Sequence, residues 1–158
     1  MITSAAAVHE ILGLLASAGV TAWVAGGWGV DALVGRQTRD HADLDVAVVD
    51  GRKALAVLGE AGFEVATDWW PGRVALRRLD GSEVDVHPIV FQADGSAVQT
   101  THDGVEFVYP ANGFTTGLIA GREVPCITAA LQETFHSGYT PQQKDLDDLA
   151  TLRDAGLI

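Results

Sequence analysis

The run DHADLDVAVVD, residues 40 to 50, passes from a polar loop into an apolar strand and carries two aspartates, Asp43 and Asp45, at the join. In an extended chain side chains alternate between faces, so Asp43, Asp45 and Ala47 share one side while Leu44, Val46 and Val48 share the other. Two carboxylates are therefore held side by side. Like charges at this spacing repel, and neither leaves water easily unless something positive stands between them. A divalent cation is the simplest remedy; a solvent-facing strand end with two ordinary surface acids is the other reading of D-x-D taken alone.

A third carboxylate lies in EVDVHP, where Asp85 shares a strand face with Glu83 and His87 while Val84 and Val86 point the other way. If the strands of Asp45 and Asp85 are neighbours, three carboxylates converge, a set suited to one or two Mg²⁺ ions that share their coordination with substrate phosphates. Upstream, Gly26-Gly27 stands between a short apolar strand, Val20 to Ala25, and a helical stretch, Trp28 to Val34, closed by Gly35. Bare backbone N–H groups there can approach a phosphate closely. Lys144, in the first turn of the last helix, is read either as a phosphate contact or as a solvated surface lysine.

The rest of the chain places these motifs. Ser4 caps a first helix with Val8, Ile11, Leu12 and Leu15 on one face, ended by Gly19. Asp50 caps a second over residues 51–61, followed by the strand FEVAT. Asp80-Gly81 and Asp94-Gly95 suit two hairpin turns. VEFVY (105–109) and EVPCI (123–127) read as strands separated by a loop, then come a helix from Thr128 to Ser137 and a last one entered through Thr140-Pro141-Gln142-Gln143. Helices gather at the ends and strands in the middle, which predicts an α+β fold with a mixed sheet in one domain, 1–158. A balance of 10 basic against 21 acidic residues, net −11, argues against nucleic acid as the main partner and suits a cationic small molecule. No apolar run is long enough to span a bilayer. Cys126 reads as a packed strand residue, and the protein is expected in the cytoplasm.

The segments AGGWGVDALVGRQTRDHADLDVAVV, VDVHP and FHSGYTPQQKDLDDL resemble the antibiotic nucleotidyltransferases, most closely the small lincosamide nucleotidyltransferases, along nearly the whole chain. The resemblance implies a minimal nucleotidyltransferase fold, a mixed sheet flanked by helices, that moves AMP from Mg²⁺-bound ATP to an antibiotic hydroxyl. It implies that Gly26 and Gly27 meet the triphosphate and that Asp43 and Asp45 hold metal. Asp85 would be a further metal ligand or the base for the attacking hydroxyl. Ala25 and the loop around Asn112 depart from the lincosamide pattern, which leaves an aminoglycoside as the alternative acceptor.

Two other classes compete. Gly27-Trp28-Gly29-Val30-Asp31-Ala32 is literally G-x-G-x-x-A, with Asp50 about twenty residues on, a dinucleotide fingerprint. The following helix is short for that fold, and its second strand would bury Asp43 and Asp45 unpaired. A non-catalytic nucleotidyltransferase-like antitoxin would show degenerate carboxylates, and all three are present. Arg39 reads as a phosphate contact or as the partner of a nearby acid, and His41 has no assignment. His87 and Tyr139 are acceptor contacts or ordinary hydrogen-bonding residues. Of Trp69 and Trp70, one packs over a sheet edge and Trp70 is the expected aromatic neighbour of the antibiotic. A domain this small builds only part of an acceptor pocket, so a homodimer is expected.

Overall fold

A computed structural model of the protein describes residues 2–158. Helix α1 (Ala5–Ser17) begins where the Ser4 hydroxyl accepts the Ala7 N–H at 3.1 Å. It ends in a Schellman closure, Val20 N–H to Leu15 carbonyl and Gly19 N–H to Ala16 carbonyl. That closure uses Val20, so strand β1 (Ala22–Ala25) is shorter than the apolar run and passes without a loop into α2 (Gly26–Val34). After a polar loop come β2 (Leu44–Val49) and α3 (Gly51–Glu60), capped by the Asp50 carboxylate on the Lys53 N–H.

Strands β3 (Glu64–Trp69), β4 (Arg73–Arg77), β5 (Glu83–Phe91), β6 (Ala97–Thr100), β7 (Glu106–Tyr109), β8 (Phe114–Ile119) and β9 (Arg122–Ile127) follow, then α4 (Ala129–His136) and α5 (Gln143–Asp154). The sheet runs β3-β4-β5-β2-β1-β9-β8, and β6 and β7 extend from the far end of β5. The pairs β2·β5 and β1·β9 are parallel and the others antiparallel, so the sheet is mixed, as the element order predicted.

The apolar side of the alternation is buried as expected. Leu44, Val46 and Val48 of β2 pack with Val84 and Val86 of β5 against Val8, Ile11 and Leu15 of α1 and Leu58 of α3. On the opposite face a smaller cluster, Ala47, Ile89, Tyr109, Ile127 and Leu131, leaves a gap in which the polar side of β2 and β5 is open. Cys126 lies fully buried in the first cluster, and burial lifts its thiol to about 11.

Two local readings change. Strand β8 occupies the segment read as a loop, because Gly117 interrupts its alternation. The glycine is needed there: a Cβ would strike the Ala32 carbonyl of α2, which lies across the strand. Helix α5 starts two residues later than expected, with Gln142 as its cap residue and Asp145 accepting the Gln142 N–H at 2.8 Å. The nearer partner wins because Asp145 reaches back one turn, whereas Thr140 and Pro141 stay outside the helix.

Candidate active site

Parallel pairing of β2 and β5 sets Asp45 opposite Asp85 and Ala47 opposite His87. The condition that the two strands be neighbours is thereby met, and it brings Asp45 and Asp85 together, since paired residues present side chains to the same face. His87 Nε2 lies 3.1 Å from Asp45 Oδ1 and 3.9 Å from Asp85 Oδ2. Asp45, Asp85 and His87 form a set whose ligand-type atoms lie within 4.8 Å of one another. Asp43 stands beside this set and not within it, because β2 begins at Leu44 and the Asp43 side chain is not held by the pleat.

Arg73, which no motif singled out, grips Asp85 with two bonds, Nε to Oδ1 at 3.2 Å and Nη2 to Oδ2 at 3.0 Å. The signal was present: across the β4·β5 hairpin Arg77 faces Glu83 and Ala75 faces Asp85, so the same alternation puts Arg73 on the carboxylate face. Only the exact pairing register, which the Asp80-Gly81 turn alone does not specify, was missing.

The electrostatics divide the carboxylates. Burial, together with the charges of Asp45, Asp85 and Glu83, pushes Asp43 up to about 6. Asp45 is also buried, but the His87 hydrogen bond and the positive charges of Arg73 and Lys144 outweigh burial and hold it below the usual carboxylate range. Asp85 is raised, chiefly by burial. A cluster of carboxylates in which burial and like charges raise Asp43 to about 6 fits a hard divalent ion with oxygen ligands.

The glycine pair is pressed against this cluster. Gly26 adopts φ 60, and a Cβ on it would collide with Asp45 Oδ2. A Cβ on Gly27 would fall 2.5 Å from His41 Nδ1 and 2.6 Å from Arg39 Nη2. No side chain caps the start of α2, so its first amides are free to meet an anion. A cleft of about 350 Å³ opens here, and Gly26, Gly27, Arg39, Asp43, Asp45 and Lys144 all line it.

Arg39 is tied to Asp148 of α5 through Nε and Nη2 at 3.2 and 3.0 Å, so its reading as the partner of an acid is met, and its side chain also lines the cleft. Lys144 makes no ion pair among the described residues. His41 acquires a structural place: its Nε2 lies 2.5 Å from Asp31 Oδ2 in a buried pair, while Nδ1 has no partner and faces Gly27.

A second cavity, about 280 Å³, opens from the other side of Asp45 and is lined by His87, Gln99, Phe107, Tyr109, Phe135 and Tyr139 among others. The expectation for Trp70 is overturned. Its ring packs against the main core under the Arg52 guanidinium, 3.8 Å away, because the β3–β4 turn carries it to the α3 side of the sheet. Trp69 is half exposed beside His102. The aromatic lining comes instead from β7, α4 and the turn after α4. The dinucleotide reading also fails, since β1 and β2 are antiparallel where that fold requires parallel strands, and Asp50 serves as the α3 cap.

Facing aspartates on neighbouring parallel strands, with a glycine-pair helix start against one of them, are the arrangement that the resemblance to nucleotidyltransferases implied. Residues 7–152 match the model of the aminoglycoside-2''-adenylyltransferase family, and the chain belongs to that family. It is 34% identical over 145 residues, 90% of each chain, to a lincosamide resistance protein of Staphylococcus haemolyticus. A crystal structure of the lincosamide antibiotic adenylyltransferase LnuA with lincomycin bound is 32% identical, covers 98% of this chain and 99% of its own, and superposes with a TM-score of 0.88. A 2''-aminoglycoside nucleotidyltransferase of Klebsiella pneumoniae is more distant, 27% identical over 78% of this chain and 67% of its own.

Proposed function

We propose that the protein transfers AMP from Mg²⁺-bound ATP to a hydroxyl of a lincosamide antibiotic and releases pyrophosphate. The observation that carries this reading is the 34% identity to a lincosamide resistance protein over 90% of both chains. The apolar, aromatic cavity beside Asp45 supports it, since a lincosamide joins a sugar to an apolar propyl-proline portion with a single amine.

In this reading the triphosphate occupies the cleft at Gly26-Gly27, where the first amides of α2, Lys144 and Arg39 meet its oxygens. Asp43 and Asp45, with Asp85 at their side, would hold Mg²⁺, which when bound neutralises phosphate charge and polarises the α-phosphoryl group. The antibiotic lies against Phe107, Tyr109, Phe135 and Tyr139 with its hydroxyl toward Asp85. That hydroxyl oxygen forms a bond to the α-phosphorus in line with the bond to pyrophosphate, which breaks. Asp85 takes the hydroxyl proton; its raised pKa suits a base, and Arg73 fixes its orientation.

The acceptor cavity, about 280 Å³, is below the range that encloses a drug-sized ligand; Phe107, which lines it, stands exposed on β7 together with Val108, and Val105 is exposed just before that strand. A second copy of the chain packed on that edge completes the site in our reading. Sedimentation should give a dimer at micromolar concentration; a monomer would remove this part. In this reading the net charge of −11 argues against nucleic acid as the main partner, and ATP as co-substrate fits a place in the cytoplasm.

The family match favours one second reading, an aminoglycoside acceptor. Mass spectrometry separates them: with Mg-ATP, lincomycin or clindamycin should gain one AMP unit. Gain of that unit by kanamycin- or gentamicin-type compounds, with lincosamides unchanged, would establish the second reading instead.

A further inference from the structure

Gln99 on β6 belongs to no motif, yet its amide is held at both ends. Nε2 donates to the Gly72 carbonyl at 2.9 Å and lies 3.2 Å from His87 Nδ1, while Oε1 accepts from the Tyr109 hydroxyl at 2.7 Å. Turning the amide over would set Oε1 against the Gly72 carbonyl, acceptor against acceptor, so its orientation is determined. An N–H therefore points at His87 Nδ1, which must be the lone-pair nitrogen of the ring. The ring proton then sits on Nε2, the nitrogen 3.1 Å from Asp45 Oδ1. His87 lies close enough to Asp45 and Asp85 to complete a metal site, but the nitrogen it turns toward them carries a proton. The other oxygen of Asp45, Oδ2, faces Gly26.

We propose that Gln99 is a positioning residue: by setting the tautomer of His87 it makes that ring a hydrogen-bond donor to Asp45 Oδ1 and keeps it from serving as a metal ligand, so that the carboxylates and not the imidazole would hold the cation. The cation belongs to the nucleotidyl-transfer reading, whereas the tautomer stands on the hydrogen bonds alone.

Long-range ¹H–¹⁵N spectra of the labelled, metal-free protein at about pH 9, above the ordinary imidazole range, test it, with His87 assigned by its loss in His87→Gln. His87 should show a protonated Nε2 and a lone-pair Nδ1. Added Mg²⁺ should shift the Gly26 and Asp45 amides while Nε2 keeps its proton. Gln99→Glu is nearly isosteric but can only accept, and should move the ring proton to Nδ1 and lower kcat about tenfold or more, with the KM for ATP changed less. A protonated Nδ1 in the unaltered protein, loss of the Nε2 proton on Mg²⁺ addition, or an unchanged tautomer in Gln99→Glu would overturn the proposal. No Mg²⁺ response at Gly26 and Asp45, with the tautomer as stated, would instead count against the cation reading and leave the Gln99–His87 pairing in place.

Discussion

Asp43 and Asp45 stand two residues apart, one before β2 and one on it, and their environments push their pKa values in opposite directions. Asp45 keeps its charge because His87 donates to it, whereas Asp43, with no hydrogen-bond donor among the described residues, is raised from 3.8 to about 6 by burial and neighbouring carboxylates. A carboxyl raised on folding binds more protons folded than unfolded between those values. Its penalty is thus absent below about pH 4, grows as pH rises, and is fully present above about pH 6. Asp43→Asn should therefore stabilise the metal-free protein at pH 7.5 by about 1 kcal/mol, a figure discounted because the side chain is partly solvated, and the gain should shrink at pH 5. Urea denaturation in EDTA at the two pH values measures this. With Mg²⁺ present the order should reverse at pH 7.5, because the cation takes the place of the proton. Asp45→Asn should leave the fold intact and cut turnover by about 10²-fold or more, the scale for losing one electrostatic contact made in the transition state. Turnover within a few-fold of the unaltered enzyme would remove Asp45 from the metal.

At the scale of elements, the abrupt passage from β1 into α2 brings the triphosphate cleft and the carboxylates together, and its two glycines do different work. Gly26→Ala combines a left-handed φ of 60 with a collision against the Asp45 carboxylate, so it should cost about 1–3 kcal/mol of stability and most of the activity. Gly27→Ala meets the buried His41 ring and the Arg39 guanidinium held by Asp148, both of which must shift, but its backbone is not left-handed, so it should cost less stability than Gly26→Ala while raising the KM for ATP. Thermal melts and steady-state kinetics on both variants test the distinction; equal loss of stability would refute it. This division was only half visible in the sequence. The shared face of Asp85 and His87 on β5, and of Asp45 and Ala47 on β2, was legible because period-two alternation needs no partner, whereas Asp43 precedes the strand. Arg73, Gln99 and the buried Asp31–His41 pair were not, because each depends on which strand or helix lies alongside and in what register. Strand β8 was missed for the same reason: Gly117 looks like a strand breaker until α2 is seen crossing it. Trp70 was misplaced because adjacent residues on a strand face opposite ways, and only the turn at Pro71 decides which face is which.

Over the whole molecule, the charge of −11 and the shape of the acceptor cavity point to different antibiotics. A polycationic aminoglycoside would be drawn to the acidic surface, and its capture would weaken steeply with salt. Binding, however, depends on the acids that line the cavity, and several of the acids near the site already have partners: Asp85 is gripped by Arg73, Asp148 by Arg39, and Asp31 by His41. Asp45 is the only acidic residue among those lining this cavity, and in the proposed mechanism it holds the cation. The remaining contacts come from Phe107, Tyr109, Phe135 and Tyr139, which gain by covering apolar surface and are indifferent to ionic strength. The KM for a lincosamide should therefore change by less than about threefold between roughly 0.05 and 0.5 M NaCl, a range over which the screening length falls from about 14 to about 4 Å. The KM for ATP, which in the proposed reading meets Lys144, Arg39 and the start of α2, should rise over the same range. If the antibiotic KM rises tenfold or more while that for ATP holds steady, the acceptor is recognised by charge, and the aromatic cavity is not where it binds.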